Sequence, residues 1–197
     1  MARRTAEAAA RTRAALVASA REKFVELGFA AASTAEIARS AGCSQSALFH
    51  HFADKKALFE AVVIEAMAAY DTEVRRAALA ERTPMAMMLA GCRRSLELAA
   101  DPAWSRLVAV DAPSVLAEDR LRRLDASLGR ATTRFGLGAL VDTGDLRPDV
   151  DLEALTTLIY GALTEAAFDL ARRPDEAVPP SRLIDLIAGL LAAHAPG

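Results

Sequence analysis

The chain contains 197 residues, of which 53% are apolar and only 5% aromatic, and it carries a formal net charge of −2. This length suits one domain, with or without a small appendage, and no apolar run reaches the roughly 18 residues of a membrane span. No apolar segment follows the first residues and only two cysteines are present, Cys43 and Cys92, so we expect a cytoplasmic protein without a secretory signal, a disulfide framework, a metal or a cofactor.

Charge is distributed unevenly along the chain. Residues 1–56 hold nine Lys/Arg against five Asp/Glu, a net +4, whereas the remainder holds fifteen against twenty-one, a net −6. A basic N-terminal quarter on an acidic body is expected when only that quarter meets polyphosphate. An ordinary solvated surface explains the same counts, so the asymmetry alone leaves both interpretations open.

Alanine and leucine supply most of the hydrophobicity and β-branched runs are few, which predicts an all-α fold. The first helix is predicted over about 5–27 from the spacing of Leu16, Ala20, Phe24 and Leu27, with Gly28 as its terminator. Ser33-Thr34-Ala35-Glu36 has the pattern of a capping box and predicts a second helix that ends near residue 41.

A third short helix is predicted over about 45–51, capped by Ser44, and a long fourth helix from Lys55 to residue 79 or 80, capped by Asp54. Two short helices joined by a tight turn that contains Gly42 indicate a helix-turn-helix. Residues 1–56 are therefore predicted to form a three-helix DNA-binding domain.

Prolines divide the rest of the chain into segments with helical periodicity. The helices expected there, bringing the total to about nine, cover residues 84–99, 102–110, 114–141, 150–172 and 180–194.

Three runs carry a family resemblance, and they are Phe24-Val25-Glu26-Leu27-Gly28-Phe29, Ser33 to Ser44, and Ala47 to Leu58. Over about 45 residues, with every gap in place, the chain resembles the DNA-binding domain of the TetR family of repressors. The C-terminal two-thirds resemble the family only in length and helical layout. The resemblance implies a homodimeric regulator, most often a repressor, that binds a palindromic DNA operator and is released by a small-molecule effector.

The resemblance also implies that the third helix enters the major groove. Gln45, Ser46 and Ala47 are expected to meet base edges, and His50 a base or a phosphate. Thr34 and Lys55 are expected to contact phosphate, since each lies beside a helix N-terminus. The full predicted DNA-binding set is Ser33, Thr34, Ser44, Gln45, Ser46, Ala47, Phe49, His50, His51 and Lys55.

One residue departs from the family. Phe49 stands where tyrosine is usual and lacks the hydroxyl that bonds a phosphate, a loss of about 1 kcal/mol. For His51, backbone contact and simple packing are equally good interpretations. Leu48 and Phe52 are expected to face inward, against Ile37 and Phe24.

Residues 57–197 are predicted to form a helical ligand-binding and dimerisation domain. Large, adaptable apolar side chains favour a sensor pocket, although each alone is more often a core residue. The predicted ligand-binding residues are Met85, Met88, Cys92, Trp104, Leu107, Phe135 and Tyr160, with Arg106, Asp111 and Arg134 as further polar candidates. The last two helices are predicted to form the dimer interface through Leu155, Ile159, Leu163, Leu183, Ile187 and Leu190.

Two other functions compete with this interpretation. A helical di-metal enzyme needs Glu-x-x-His pairs, and none of the three histidines has glutamate three residues before it, so no catalytic residue is predicted. A helical domain that has lost DNA binding is favoured only by Phe49 and opposed by the basic charge and Lys55. In the favoured mechanism the ligand moves the fourth helix and changes the separation of the two recognition helices.

Overall fold

The computed structural model describes the backbone of residues 2–196 and the side chains of residues 6–196. Within that range the prediction of an all-α fold of about nine helices is confirmed. The first five helices are α1 (Ala2–Ala31), α2 (Thr34–Ser40), α3 (Gln45–His51), α4 (Lys55–Leu79) and α5 (Pro84–Ala99). In the described range, no helix is both long enough and apolar enough to cross a membrane.

Two of the remaining helices contain a π-helical turn. Helix α6 runs without a break through Pro102–Trp104, the π-helical segment Ser105–Asp111 and Ala112–Val115. Helix α7 likewise comprises Glu118–Asp125, the π-helical segment Ala126–Arg130 and Ala131–Asp142. Helices α8 (Leu152–Arg172) and α9 (Pro180–Ala192) complete the chain.

Helix α1 changes direction where the sequence predicts its end. Gly28 has φ 79° and ψ 167°, values that an L side chain rarely adopts, and a last helical turn follows it to Ala31. The predicted end at residue 27 is therefore the end of the regular helix, and the extra turn is a separate short piece beyond the kink.

Capping at the helix-turn-helix agrees with expectation at two of three sites. The Ser44 hydroxyl accepts from the Ala47 amide at 3.1 Å, and the Asp54 carboxylate accepts from the Ala57 amide at 2.7 Å. The predicted capping box at Ser33 is wrong, because its side chain makes no capping bond and Glu36 lies 4.0 Å from Arg39 instead.

Pro113 does not end a helix, contrary to the predicted break between residues 110 and 114. Proline removes the amide that would bond the carbonyl four residues earlier, which here belongs to Ala109. Both the Nε and an Nη of Arg172 donate to that carbonyl, at 3.2 and 2.8 Å. A side chain from α8 thus satisfies the group that proline leaves without a donor, and α6 continues to Val115.

The described residues pack around two hydrophobic cores. The first joins α1 to α4, where Leu48 and Phe52 are buried with Ile37 and Phe24 as predicted. It also includes Leu107, Val108 and Ala112 of α6, and Leu116 immediately after that helix. The second core lies among α5, α7, α8 and α9. Because α6 contributes to the first core, the predicted domain boundary at residues 56 and 57 does not separate the two sets of packed side chains.

Candidate DNA-binding surface and ligand cavity

Helix α3 presents its first turn to solvent. Gln45 and Ser46 are exposed, and Ala47 is half-buried against the helix pair. Leu48, on the opposite side, is fully buried and fixes the rotation of the helix. Its orientation therefore leaves the predicted base-contacting residues free to meet a DNA groove.

A hydrogen bond joins the N-terminal ends of α2 and α3. The Gln45 side-chain amide donates to the Thr34 hydroxyl at 2.9 Å, so two predicted DNA contacts from different helices lie side by side. Behind them, the buried Ser19 hydroxyl donates to the Ile37 carbonyl at 3.0 Å and ties α1 to α2. Sequence reasoning missed the role of Ser19, because a serine between two alanines carries no distinguishing pattern.

The other predicted contacts surround the same end of the molecule. Phe49 is 46% exposed and His50 is exposed, whereas the half-buried His51 ring packs edge-on to His50 with centroids 5.6 Å apart. Ser33 and Ser44 lie immediately before α2 and α3.

Lys55 is held by the end of α1. Its ammonium donates to the Ala30 carbonyl at 3.1 Å and lies 4.7 Å from the centroid of the Phe29 ring. Partial burial lowers its pKa below the ordinary lysine value. An ammonium has three N–H donors, so the bond to Ala30 does not exhaust its capacity for a phosphate.

A cavity of about 1200 Å³ lies among helices α4 to α8. Five of the seven predicted ligand residues line it, and they are Met88, Cys92, Trp104, Phe135 and Tyr160. Phe135 is 80% exposed and so belongs to the rim. Two predictions are wrong about position: Leu107 is 1% exposed within the first core, and Met85 packs against the second core. Neither residue lines the cavity, because the lining residues of the same helices are others, such as Met88 of α5 and Trp104 of α6.

Several lining residues were missed by the sequence analysis. Met67, Tyr70 and Val74 recur at helical spacing on α4, a stripe that periodicity could have identified. Asp125 lies in the strongly charged first part of α7, where nothing in the pattern distinguishes it from its exposed neighbours.

The cavity wall contains a half-buried carboxyl–phenol pair. The Tyr160 hydroxyl donates to Asp125 Oδ1 in a short hydrogen bond. Burial raises the pKa of Asp125 above the ordinary range of a carboxyl, and burial together with the neighbouring carboxylate raises the pKa of Tyr160.

Aromatic and thiol groups occupy another part of the wall. Tyr70 and Trp104 stack with ring centroids 5.4 Å apart, and the Tyr70 hydroxyl donates to the Ser95 carbonyl at 2.7 Å. Burial raises the pKa of Tyr70 to about 12, and it raises the pKa of the Cys92 thiol to about 12. The buried indole N–H of Trp104 has no acceptor among the described residues.

Arg106 and Asp111 connect α6 to the kink of α1, and we call this pair the α6–α1 clamp. Asp111 Oδ2 accepts from the Phe29 amide at 2.8 Å and lies 3.4 Å from Arg106 Nε. Arg106 Nη2 donates to the Leu27 carbonyl at 3.3 Å. A Cβ at Gly28 would lie 1.8 Å from Arg106 Nη2, so this close approach requires glycine. These two residues were predicted as ligand candidates and instead join the two parts of the chain.

The outer faces of α8 and α9 differ from those predicted. Leu155, Ile159, Leu163 and Ile187 are at most 6% exposed within a single protomer, so they belong to its own core and cannot form a surface. Leu183 and Leu190 are half-buried. Residues that do face outward are Leu158, at 62% exposure, Leu186, at 66%, and the small residues Gly161, Ala162 and Gly189.

Short helices α2 and α3, joined by a tight turn on a buried core, define a helix-turn-helix protein of the DNA-binding class. A family model described as "Bacterial regulatory proteins, tetR family" matches residues 16–62, and one described as "Tetracyclin repressor-like, C-terminal domain" matches residues 85–194. The chain therefore belongs to the TetR family of transcriptional regulators.

Relatives agree with this assignment over most of the chain. The transcriptional repressor AcnR of Corynebacterium glutamicum is 30% identical over 156 residues, which cover 75% of this chain and 76% of AcnR. A TetR-family regulator from Pectobacterium atrosepticum is 30% identical, with a TM-score of 0.73 over 95% of this chain and 93% of that one.

A more distant neighbour shares the fold alone. FadR from Bacillus subtilis, solved in complex with stearoyl-CoA, has a TM-score of 0.71 at 14% identity, over 92% of this chain and 98% of FadR.

Proposed function

We propose that this TetR-family regulator is a cytoplasmic homodimeric repressor that binds a palindromic operator and releases it when a small molecule enters the cavity. The observation that carries the proposal is the pair of connections between the cavity wall and the helix-turn-helix. Helix α4 starts beside α3 and lines the cavity further along, and the α6–α1 clamp provides a second connection.

DNA binding is supported by the exposed first turn of α3. Gln45 offers an amide that can pair bidentately with adenine, and Ser46 can donate or accept. The proposed phosphate contacts from Thr34, Lys55 and the neighbouring residues would position the helix without reading sequence. A repressor rather than an activator is favoured by the match to AcnR, which is itself a repressor.

Ligand response is supported by the wall that α4 and α6 share. Met67, Tyr70 and Val74 of α4 line the cavity together with Trp104 and Val108 of α6. A ligand that separates these helices would move both connections to the DNA-binding domain. Its effect is limited to the difference in its affinity for the two conformations.

Dimerisation is supported by the outward faces of α8 and α9. Leu158 and Leu186 are exposed leucines, the same helices also expose the small residues Gly161, Ala162 and Gly189, and a Cβ at Gly161 or Gly189 would meet nothing within 4 Å. Such low relief allows close helix approach to a second copy about a two-fold axis. A two-fold dimer in turn implies a palindromic operator.

The test is selection of genomic or random duplexes by the purified protein, followed by titration of the selected duplex at two salt concentrations. We expect a palindrome, two protomers on each duplex and an affinity that falls steeply with salt. Selection of no sequence above background by the purified protein would overturn the operator-binding proposal.

A further inference from the structure

The cavity wall carries more carboxylates than arginines. The wall includes four arginines, Arg75, Arg122, Arg172 and Arg173, and five carboxylates, Asp71, Glu118, Asp125, Glu165 and Asp169. In an apolar cavity, a charge without a partner is the one that determines which ligand charge is favoured.

Each of the four arginines already has a partner within the protein. Arg75 Nε bonds Asp71 at 2.7 Å, and Arg122 and Arg173 bond carboxylates four residues before them on their own helices. Arg172 donates twice to the Ala109 carbonyl and lies 5.0 Å from the centroid of the Phe168 ring. Three of the four guanidinium charges are therefore paired with neighbouring carboxylates, and Arg172 is the one whose partners are neutral.

Two of the five wall carboxylates, Asp125 and Glu165, have no ion pair in the described part of the chain, and Asp125 is the less exposed of the two. Its hydrogen bond comes from the neutral phenol of Tyr160, and no ion pair to it is recorded in the described part of the chain. A half-buried carboxylate without a cation is costly, and a cationic ligand would remove that cost.

The local backbone is arranged around this pair. Asp125 is the last residue before the π-helical segment Ala126–Arg130, and wide turns of this kind occur often at functional sites. A Cβ at Gly129, within the segment, would lie 2.9 Å from both Cε2 and the hydroxyl of Tyr160. The glycine therefore allows the Tyr160 ring to lie against α7 and reach Asp125.

Aromatic rings line the same cavity. Trp104 stacks on Tyr70, and Tyr160 and Phe168 contribute two further rings. Aromatic faces attract organic cations, with tryptophan the strongest. Trp104 also ends the first piece of α6, immediately before the π-helical segment Ser105–Asp111.

We propose that the cavity binds a lipophilic organic cation whose positive charge pairs with Asp125 and whose apolar groups pack against the aromatic wall. This inference rests on the proposed sensor role of the cavity. It separates the protein from Bacillus subtilis FadR, because the phosphates of an acyl-CoA would meet a wall in which three of the four arginines are already paired with carboxylates.

The experiment compares two ions of nearly the same shape and opposite charge, tetraphenylphosphonium and tetraphenylborate. Trp104 is the only tryptophan of the chain and lines the cavity, so its fluorescence reports binding. We expect the phosphonium to bind at least roughly tenfold more tightly than the borate. That factor corresponds to a modest fraction of the interaction energy of a close ion pair at an intermediate dielectric constant. Equal affinity, or a preference for the borate, would overturn the proposal without any variant.

Asp125→Asn provides the second arm, because an amide oxygen still accepts from Tyr160 but carries no charge. It should weaken phosphonium binding roughly tenfold and leave borate binding unchanged or stronger. The matched control is Asp119→Asn, on the same helix, where the carboxylate is exposed and pairs with Arg123. Unchanged phosphonium binding in folded Asp125→Asn would also overturn the proposal.

Operator binding, measured on the same preparations, distinguishes this inference from the proposed function. A protein that selects a palindrome and binds the borate at least as tightly as the phosphonium would keep the regulator proposal and remove this inference. A protein that prefers the phosphonium through Asp125 but selects no operator would keep this inference and remove the operator-binding proposal.

Discussion

Gln45 illustrates how the surroundings of one residue determine its proposed role. Its backbone begins α3, and its amide is held beside Thr34 by a 2.9 Å hydrogen bond. That bond restricts a long side chain before DNA arrives, so less rotamer freedom remains to be lost on binding. Two other predicted DNA contacts lie nearby in different surroundings. The Phe49 ring is exposed, whereas the Lys55 ammonium is bonded to the Ala30 carbonyl.

Replacing Gln45 by alanine should affect specificity more than general affinity. A bidentate pair with adenine contributes about 1–3 kcal/mol of discrimination, so we expect binding to the selected operator to fall by roughly tenfold or more. Binding to random duplex should change little. Competition titrations of operator and random DNA measure both, and equal losses on the two would contradict the base-contact role.

Lys55→Ala is the contrasting variant. Removing a phosphate contact should weaken binding to all sequences and reduce the slope of log affinity against log salt by about one. The lost bond to Ala30 should also lower the free energy of unfolding by about 1 kcal/mol. An unchanged salt slope would assign Lys55 to the α1–α4 contact alone.

The two cysteines should differ sharply in reactivity. Burial raises the pKa of Cys92 to about 12, so at pH 8 it is a neutral thiol inside the cavity wall. Cys43 is half-exposed in the turn between α2 and α3. Iodoacetamide followed by mass spectrometry should modify Cys43 first and Cys92 only slowly. Rapid alkylation of Cys92 in the folded protein would show that the cavity opens more than its burial indicates.

At the scale of elements, α6 connects cavity and DNA-binding domain through an irregular helix. Its π-helical turn carries Arg106 and Asp111 to the kink of α1, while Pro113 depends on Arg172 of α8 for a satisfied carbonyl. The same segment of the helix is therefore bonded both to α1 of the DNA-binding part and to α8 of the cavity wall.

Gly28→Ala tests the α6–α1 clamp. With ψ 167° as well as φ 79°, Gly28 occupies a region that essentially only glycine adopts, so alanine costs about 1–3 kcal/mol there, and its Cβ would also displace Arg106. The control is Gly144→Ala, at φ 76° with nothing within 4 Å of its Cβ. We expect Gly28→Ala to lower the free energy of unfolding by about 1 kcal/mol more than the control, as measured by urea denaturation.

The cause of that excess can be isolated in a double-mutant cycle. In an Arg106→Ala background the displaced side chain is gone, so Gly28→Ala should cost about 1 kcal/mol less than it does in the unsubstituted protein. An undiminished cost without Arg106 would mean that the kink alone, rather than the clamp, requires glycine.

At the scale of the whole molecule, the two cores explain why one protomer presents two separate surfaces. The first core supports the helix-turn-helix, and the second supports the outer faces of α8 and α9. Most of the leucines and isoleucines expected at the interface are buried in the second core of the protomer. The proposed dimer therefore relies on other residues of the same helices.

The double substitution Leu158→Glu and Leu186→Glu should convert the proposed dimer into monomers. Both side chains are more than 60% exposed, so the protomer core should remain intact while four carboxylates would be placed in one two-fold interface. Sedimentation velocity measures the oligomeric state. Leu79→Glu, at 73% exposure on α4, is the control and should not change it. A doubly substituted protein that stays dimeric would place the interface elsewhere.

The sequence predicted much of the local structure, because local structure depends on neighbours in the chain. Capping by Ser44 and Asp54, the end of the regular part of α1 at Gly28 and the bounds of α4 and α5 follow from residue types at short spacing. The capping box at Ser33 failed because Glu36 faces Arg39 instead of turning back to the cap.

Tertiary structure alone decided which face of each helix is covered. The periodicity of α8 and α9 marks Leu155 and Ile187 as apolar but cannot distinguish the protomer core from a surface that pairs with another copy. Likewise, the partner of Asp125 lies 35 residues away, and the amide bonded by Asp111 lies 82 residues away. The sequence thus determined the helices, the helix-turn-helix and the family, since these depend on local pattern, whereas the cavity, the clamp and the outer faces arose only when distant helices packed together.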